Sequence, residues 1–387
     1  MRILIYTGKG GVGKTSISAA TACALAHAGK RVLIMSTDQA HSLGDSFGIK
    51  LSHQAMEIFP NLDAMEIDPI EESKEAWGNL RNYLKQILSE KANGGIEAEE
   101  ILLFPGLDEV FSLLRILEVY EQGKYDIIVV DCAPTGEALS LFTYSEKLSV
   151  LADKILPMVR NMNSVLGSFI SKKTTVPKPK DVVFEEFISL VKRLNRLQEL
   201  LHRRDLTSMR IVMTPERIVL DEARRNYTWN QLYDFGVDAV YMNKIYPKQA
   251  LDGYFSQWES LQEKNIQIAQ ESFPNQMFFK LELQNEELRG KEKLDQVSKL
   301  LYEHIDPSAV FCKEPAFRIE ESHGTRIFII HLPFADKKEI FVQQEGSDLI
   351  LSLRNEIRRF HLPDNLSRRT MSKYLYENEE LRIHMDY

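Results

Sequence analysis

The sequence predicts an α/β fold: a doubly wound, mostly parallel sheet with an inserted helical subdomain, followed by an all-β sandwich. Three observations predict it. Short β-rich runs alternate with helical patterns over the first three quarters of the chain, the pattern of parallel strands joined by crossover helices. A glycine-rich segment separates the first of these runs from the first helix. From Phe317 onward the helical period disappears, and short strands alternate with turns.

The expected sheet strands are Arg2–Thr7, Arg31–Ser36, Asp126–Val130, Arg210–Thr214, Ala239–Asn243 and Phe278–Leu281. Several are continuous apolar runs, as strands covered on both faces require. Two helical insertions interrupt them, at about 69–124 and 149–204. In the first, Trp77, Leu80, Leu84, Ile87 and Leu88 fall at helical spacing. In the second, one stripe runs through Ile155, Met158, Val159, Met162, Val165, Leu166, Phe169 and Ile170. After a Lys/Thr/Pro stretch at Ser171–Lys180, another follows through Phe184, Phe187, Ile188, Val191, Leu194, Leu197 and Leu201. The two insertions are expected to pack together outside the sheet. The sandwich strands are Phe317–Glu320, Arg326–Leu332, Glu339–Gln343, Asp348–Leu353, Arg358–Leu362 and Leu381–Met385, with turns at Glu345–Asp348 and Pro363–Asn365. Cys312–Pro315 is the expected junction, which divides the chain into 1–312 and 316–387.

A chain of 387 residues can hold two or three domains. Its 44% hydrophobic and 27% charged residues are those of a globular, water-soluble protein. A net charge of −8 without a long basic block argues against nucleic acid as a partner. Cys23, Cys132 and Cys312 lie far apart and give neither C-x-x-C spacing nor a disulfide framework. They read as small buried hydrophobes in a reducing compartment. Met1 runs at once into the first strand, so no leader is expected. No apolar stretch approaches the ~20 residues that span a bilayer. The expected location is the cytoplasm.

Residues Gly8 to Thr15 read G-K-G-G-V-G-K-T, between the run Arg2–Thr7 and the helical stretch that opens at Ser16. This order turns a phosphate-loop pattern into a nucleotide site. Gly8, Gly10, Gly11 and Gly13 let backbone N–H groups converge on phosphates, and Val12 and Ser16 complete the binding segment. Lys14 reaches the β- and γ-phosphates, and the Thr15 hydroxyl ligates Mg²⁺, so ATP and Mg²⁺ are the expected ligands. An ordinary loop of this kind needs only Lys14. Lys9 is therefore either a solvated loop charge or a cation with a target of its own.

Further polar residues stand at strand ends. Asp38, in S-T-D-Q-A-H-S-L (36–43), either orients or deprotonates the attacking water or caps a helix. His41 is either mechanistic or structural. Asp131 ends an apolar run and fits a carboxylate that holds Mg²⁺ directly or through water. Ala133–Gly136, with Pro134 in the nucleotide set, reads as a switch loop for the γ-phosphate. Asn243 either pairs with the adenine edge or makes a turn.

The K-G-G-V-G-K-T form resembles the deviant Walker A loop of dimeric P-loop ATPases. With S-T-D-Q-A-H-S-L (36–43), P-G-L-D-E (105–109), D-C-A-P-T-G (131–136) and M-N-K (242–244), the chain is similar to the arsenite-pump and tail-anchored-protein targeting ATPase family over roughly 1–305. That resemblance implies a homodimer closed around two nucleotides, with Lys9 reaching the partner's phosphates. It also implies that Asp38 activates water, Thr15 and Asp131 serve Mg²⁺, and Asn243 meets the base. Gln39 replaces the family's usual proline and Glu137 a frequent histidine, so switch coupling can differ. Without C-x-x-C, the zinc that clamps the eukaryotic targeting dimer is not expected. The chain holds one ATPase half, where arsenite-pump subunits typically fuse two.

The C-terminal region resembles an α-crystallin, small heat-shock type domain through H-L-P-F (331–334), the hairpin at 339–353, R-R-F-H-L-P (358–363) and E-L-R-I-H-M (380–385). With no further residues after Tyr387, the tail that assembles such proteins into large oligomers is not expected. Its alternative role is a packing module. The first stripe of the second insertion, with Ile155, Met158, Val159, Met162, Leu166 and Phe169, is either ordinary core or an adaptable client groove. The family resemblance implies a hydrophobic client site in these insertions. The resulting expectation is a dimeric Mg²⁺-ATPase whose nucleotide state gates that groove for the hydrophobic helix of a client protein, with a membrane receptor as a further partner of targeting. A metalloid-transport ATPase subunit and a client-holding chaperone with mainly structural ATP are the alternatives.

Overall fold

The structure is a computed structural model that describes residues 1–38, 42–68, 71–72, 78–79, 82, 107–132, 181–322, 324–354 and 356–387. The expected α/β sheet is present. Strands β1 (Arg2–Thr7), β2 (Val32–Ser36), β3 (Met56–Phe59), β4 (Leu62–Glu66), β5 (Ile127–Asp131), β6 (Thr207–Met213), β7 (Val237–Ile245) and β8 (Met277–Glu282) lie in the order β3-β4-β2-β5-β1-β6-β7-β8. Every pairing is parallel except β3 with β4. All residues of β2, β5 and β6 are buried, so helices cover both faces of the sheet's middle.

Helix α1 (Lys14–His27) is almost entirely buried, which suits its run of Ala19, Ala20, Ala22, Cys23 and Ala26. Small side chains let the sheet approach closely, and a helix apolar all round belongs in an interior. Helix α2 (Ser42–Phe47) follows β2. Helices α3 (Leu107–Gln122) and α4 (Asp181–His202) are the described parts of the two insertions and pack on each other. Phe187, Leu194, Leu197 and Leu201 of the second expected stripe are buried there, in one core with the sheet. These two helices form a layer on the sheet, because α4 also packs against β6. The stripe at 155–170 lies outside the described residues. Helices α5 (Arg217–Leu232), α6 (Gln257–Ser272) and α7 (Lys291–Tyr302) complete this part. No helix among the described residues is long and apolar enough to cross a membrane.

Beyond it, β9 (Phe317–Ser322), β10 (Thr325–His331), β14 (Thr370–Glu377) and β15 (Glu380–Asp386) form a sheet ordered β14-β15-β10-β9. A second sheet holds β11 (Ile340–Glu345), β12 (Asp348–Leu353) and β13 (Glu356–His361). All pairings are antiparallel. Alternate residues of β12 and β15 point inward, and Phe317, Phe328 and Phe360 meet edge-on or tilted in the core.

The connection between the two parts is pinned by a buried cation. Arg210, fully buried in β6, donates to Asp238 at 3.2 Å, to the Tyr6 and Tyr241 hydroxyls, and to the Pro307 carbonyl at 2.7 Å. Its guanidinium also lies 5.2 Å from the Phe311 ring. Arg2 adds bonds to the Ser308 and Ala309 carbonyls. Removing Asp238 would strand the guanidinium in an interior where an unpaired charge is costly. Asp238→Ala is therefore expected to lower stability by about 3–5 kcal/mol in urea unfolding. A loss below ~1 kcal/mol would show that the tyrosine hydroxyls and carbonyls suffice.

Candidate active site

In the order β2-β5-β1, three strands end side by side. The register pairs Ser36 with Asp131 and Asp131 with Tyr6, so their carboxyl ends are level. That places Ser36–Asp38, Asp131 and the loop after Thr7 in one row, where ligands of open α/β sheets bind. Asn243, near the end of β7, stands on the other side of β1, beyond β6.

The loop's shape demands its glycines at two places. Gly8 has φ +147°, and a Cβ there would sit 2.2 Å from the Val212 carbonyl oxygen. Gly13 has φ +94°, and its Cβ would sit 2.3 Å from Asn243 Nδ2. Gly10 and Gly11 form the exposed turn between them, and Val12 is buried beneath it. Gly13 caps α1 with no side chain, which leaves the first-turn N–H groups of Lys14, Thr15 and Ser16 directed at an anion site. The two lysines diverge. Lys14 is buried and donates to the carbonyls of Gly8 at 3.1 Å and Lys9 at 3.3 Å. Lys9 points away from that cradle to Glu222 Oε2 of α5, at 3.2 Å.

Below the loop is a cluster of oxygens. Thr15 Oγ1 donates to Asp131 Oδ2 at 2.7 Å and lies 3.1 Å from Ser42 Oγ; Ser36 Oγ donates to the same Oδ2 at 3.5 Å. Asp131 Oδ1 is buried and accepts no hydrogen bond among the described residues. Burial pushes the Asp131 carboxyl up to about 6; Thr15 and Lys14 oppose the rise, and the nearby Asp38 adds to it. A desolvated carboxylate with one unused oxygen, beside two hydroxyls, fits a hard divalent cation such as Mg²⁺. Asp38 N donates to Ser36 Oγ at 3.2 Å. Helix α2 is itself held where Gly44 N donates to the buried Glu66 at 2.9 Å.

Asn243 is brought to the loop, with its Nδ2 donating to the Val12 carbonyl at 2.8 Å. Neither a surface turn nor a base contact alone describes it, because the amide nitrogen supports the phosphate loop. Lys244, at φ +57°, reinforces this by donating to the Gly11 carbonyl at 2.7 Å. Ser36, Ser42, Glu66 and Lys244 escaped the sequence reading. Ser36 and Ser42 lie in the 36–43 segment and Lys244 in M-N-K (242–244), so membership of those motifs was their only local signal; Glu66 had none. Gln39, His41, Pro134, Glu137 and the 133–136 loop lie outside the described residues. So do Ile155, Met158, Val159, Met162, Leu166 and Phe169.

The family model described as anion-transporting ATPase matches residues 1–303, and that of the HSP20-like domain found in ArsA matches 323–385. The chain is 31% identical, over the whole of both chains, to a relative from Aquifex aeolicus that carries the name arsenical pump-driving ATPase 1. A similarly named Chlorobaculum tepidum relative is 33% identical over all of this chain and 96% of its own. The ATPase get3 of Aspergillus niger is 29% identical over 78% of this chain and 90% of its own.

Two outcomes are expected from this geometry. Raising an aspartate from 3.8 to about 6 costs the nucleotide-free fold ~3 kcal/mol as pH climbs through that interval. Asp131→Asn should then melt higher than the parent near pH 7.5, with the gap closing toward pH 4, while ATP hydrolysis falls to background. Equal melting near pH 7.5 would refute the desolvated carboxylate. Gly13→Ala should weaken nucleotide binding at least tenfold by calorimetry; unchanged affinity would show that the loop tolerates a Cβ against Asn243.

Proposed function

The chain belongs to the anion-transporting ATPase family and is an ATPase; on that premise we propose that it works as a homodimer whose nucleotide state gates an apolar groove for the hydrophobic helix of a client protein. The observation that carries the dimer reading is the divergence of the two lysines. Lys14 is buried in its own cradle, whereas Lys9, 37% accessible, turns from that cradle to Glu222. A cation so placed supports the reading that its phosphate target lies in a second subunit.

Within each subunit the loop N–H groups and Lys14 would hold the phosphates of ATP. Thr15, Ser42 and Asp131 would hold Mg²⁺, which neutralises charge on the β- and γ-phosphate oxygens when bound. Asp38 would orient the attacking water and accept its proton, and Asn243, with Lys244, would keep the loop in register. The client half of the reading rests on the stripe Ile155, Met158, Val159, Met162, Leu166 and Phe169 and on the family resemblance. Gating requires a client affinity that differs between the nucleotide states. Such a protein would act in the cytoplasm and hand its client to a membrane receptor.

The names of the relatives favour a second reading, metalloid transport. It needs soft thiolate ligands. Cys23 and Cys132 are buried in the nucleotide domain and Cys312 lies at its end, and among the described residues no three His, Cys, Asp or Glu side chains gather into a metal-binding group. That arrangement suits a metalloid poorly, and arsenite or antimonite is not expected to stimulate hydrolysis.

The test is capture of a labelled hydrophobic-helix peptide in Mg²⁺ with a non-hydrolysable ATP analogue or with ADP. At least tenfold tighter capture with the analogue is expected, and it should be lost in Met158→Asp/Met162→Asp. Capture that ignores nucleotide would point to a holding chaperone, which Asp38→Asn would leave intact. No capture in either state would sink the client reading.

A further inference from the structure

Helix α5 has two unlike faces. Along one, Glu222, Asn226 and Asn230 recur every fourth residue, so they line up. Glu222 pairs with Lys9; Asn226 Nδ2 donates to Thr7 Oγ1 at 3.3 Å; Asn230 Nδ2 donates to the Asn226 carbonyl at 2.8 Å. This face grips the last residue of β1 and the first lysine of the loop. Along the other, the Arg224 guanidinium lies 5.0 Å from the Phe334 ring and Thr228 Oγ1 donates to the Pro333 carbonyl, both in the sandwich.

We propose that Glu222 is a positioning residue for Lys9, parking its ammonium on its own subunit until phosphates bound by a second copy of the chain compete for it. This rests on the intersubunit reading of Lys9 given above. The geometry suits a removable hold. The pair is partly exposed, with side chains 37% and 24% accessible, so water screens it. A triphosphate offers several negative charges where Glu222 offers one, and it wins once the partner is in place. Lys14, buried and bonded to two carbonyls of its own loop, has no such freedom. Glu222 stands on the helix face that Asn226 ties to Thr7 at the end of β1, so it holds Lys9 in one place beside the start of its own loop.

An exposed ion pair biases an equilibrium by about two- to fivefold. Glu222→Gln releases one lysine in each subunit and should therefore tighten dimerisation by about four- to twenty-five-fold in sedimentation with Mg²⁺ and a non-hydrolysable ATP analogue. Turnover should become correspondingly less dependent on protein concentration. Lys9→Ala should weaken dimerisation, and Glu222→Gln added to Lys9→Ala should change nothing further, because the carboxylate acts through the lysine. Melting temperature separates this from a structural effect and should stay within a degree or so of the parent. If Lys9→Ala weakens the dimer but Glu222→Gln leaves it unchanged or weaker, parking is overturned and the intersubunit lysine stands. If Lys9→Ala has no effect on the dimer, the intersubunit reading itself fails.

Discussion

The nucleotide end of this molecule is assembled around one desolvated carboxylate. Asp131 sits at the tip of β5, level with Ser36 on one neighbouring strand and Tyr6 on the other. It receives the Thr15 and Ser36 hydroxyls on one oxygen and leaves the other without a hydrogen bond among the described residues. That arrangement opposes folding of the empty protein, because burial disfavours the charged form. It persists because the surrounding strands are buried throughout and supply enough apolar contact to hold an unfavourable group. Thr15 lies in the first turn of α1, so the same carboxylate also fixes where the phosphate loop meets its helix. Ser42 joins from α2, and Glu66 holds α2 in turn. A binding site built this way is strained when empty and relieved when filled.

What the sequence disclosed follows the range of the interactions involved. The phosphate loop was legible because its requirements are local: a left-handed φ at Gly13 and no Cβ at Gly8 are met by residue type alone. Asp38 and Asp131 were legible as acids that end apolar runs. Strand β3 was missed, since the edge segment Met56–Phe59 is largely exposed, and β4 because its buried run L-D-A-M-E is short and holds two acids. Strand β14 escaped for a similar reason, because Thr370, Ser372 and Lys373 face solvent and mask the inward residues. Nothing in M-N-K (242–244) indicates that an amide and an ammonium from β7 would brace carbonyls of a loop more than 200 residues earlier. Likewise the hydroxyls of Ser36 and Ser42 acquire meaning only once parallel pairing brings β2 beside β5.

The sandwich is seated on the same helix that faces the phosphate loop. Phe334 packs edge-on against Phe273 of the neighbouring segment, and the Tyr233 hydroxyl donates to Glu356 at 3.1 Å. Arg358 lies 5.0 Å from the Tyr233 ring and donates to the Leu232 carbonyl at the end of α5. These contacts mix aromatic packing with buried polar bonds, so the seat is specific in orientation as well as apolar. The resemblance to small heat-shock domains and the role of a packing module are compatible here. The face that meets α5 does the packing, and the outer face of β11 and β13, with exposed Phe341 and Ile357 beside Ser352, remains toward solvent.

The pinned connection adds a mechanical consequence. Carbonyls at 307 and 309 are ligands of a guanidinium buried among β1, β6 and β7, and Phe311 is packed beneath it. The tether between the two parts is thus a rivet driven into the nucleotide domain's interior. A sandwich hung on loose chain would lose its bearings with every thermal swing. Riveted here, it takes its coordinates from the strands that carry the phosphate loop. In the dimer proposed above, rotation of one subunit against the other would therefore carry its sandwich as a rigid outrigger, turning a small displacement at the nucleotide into a longer sweep.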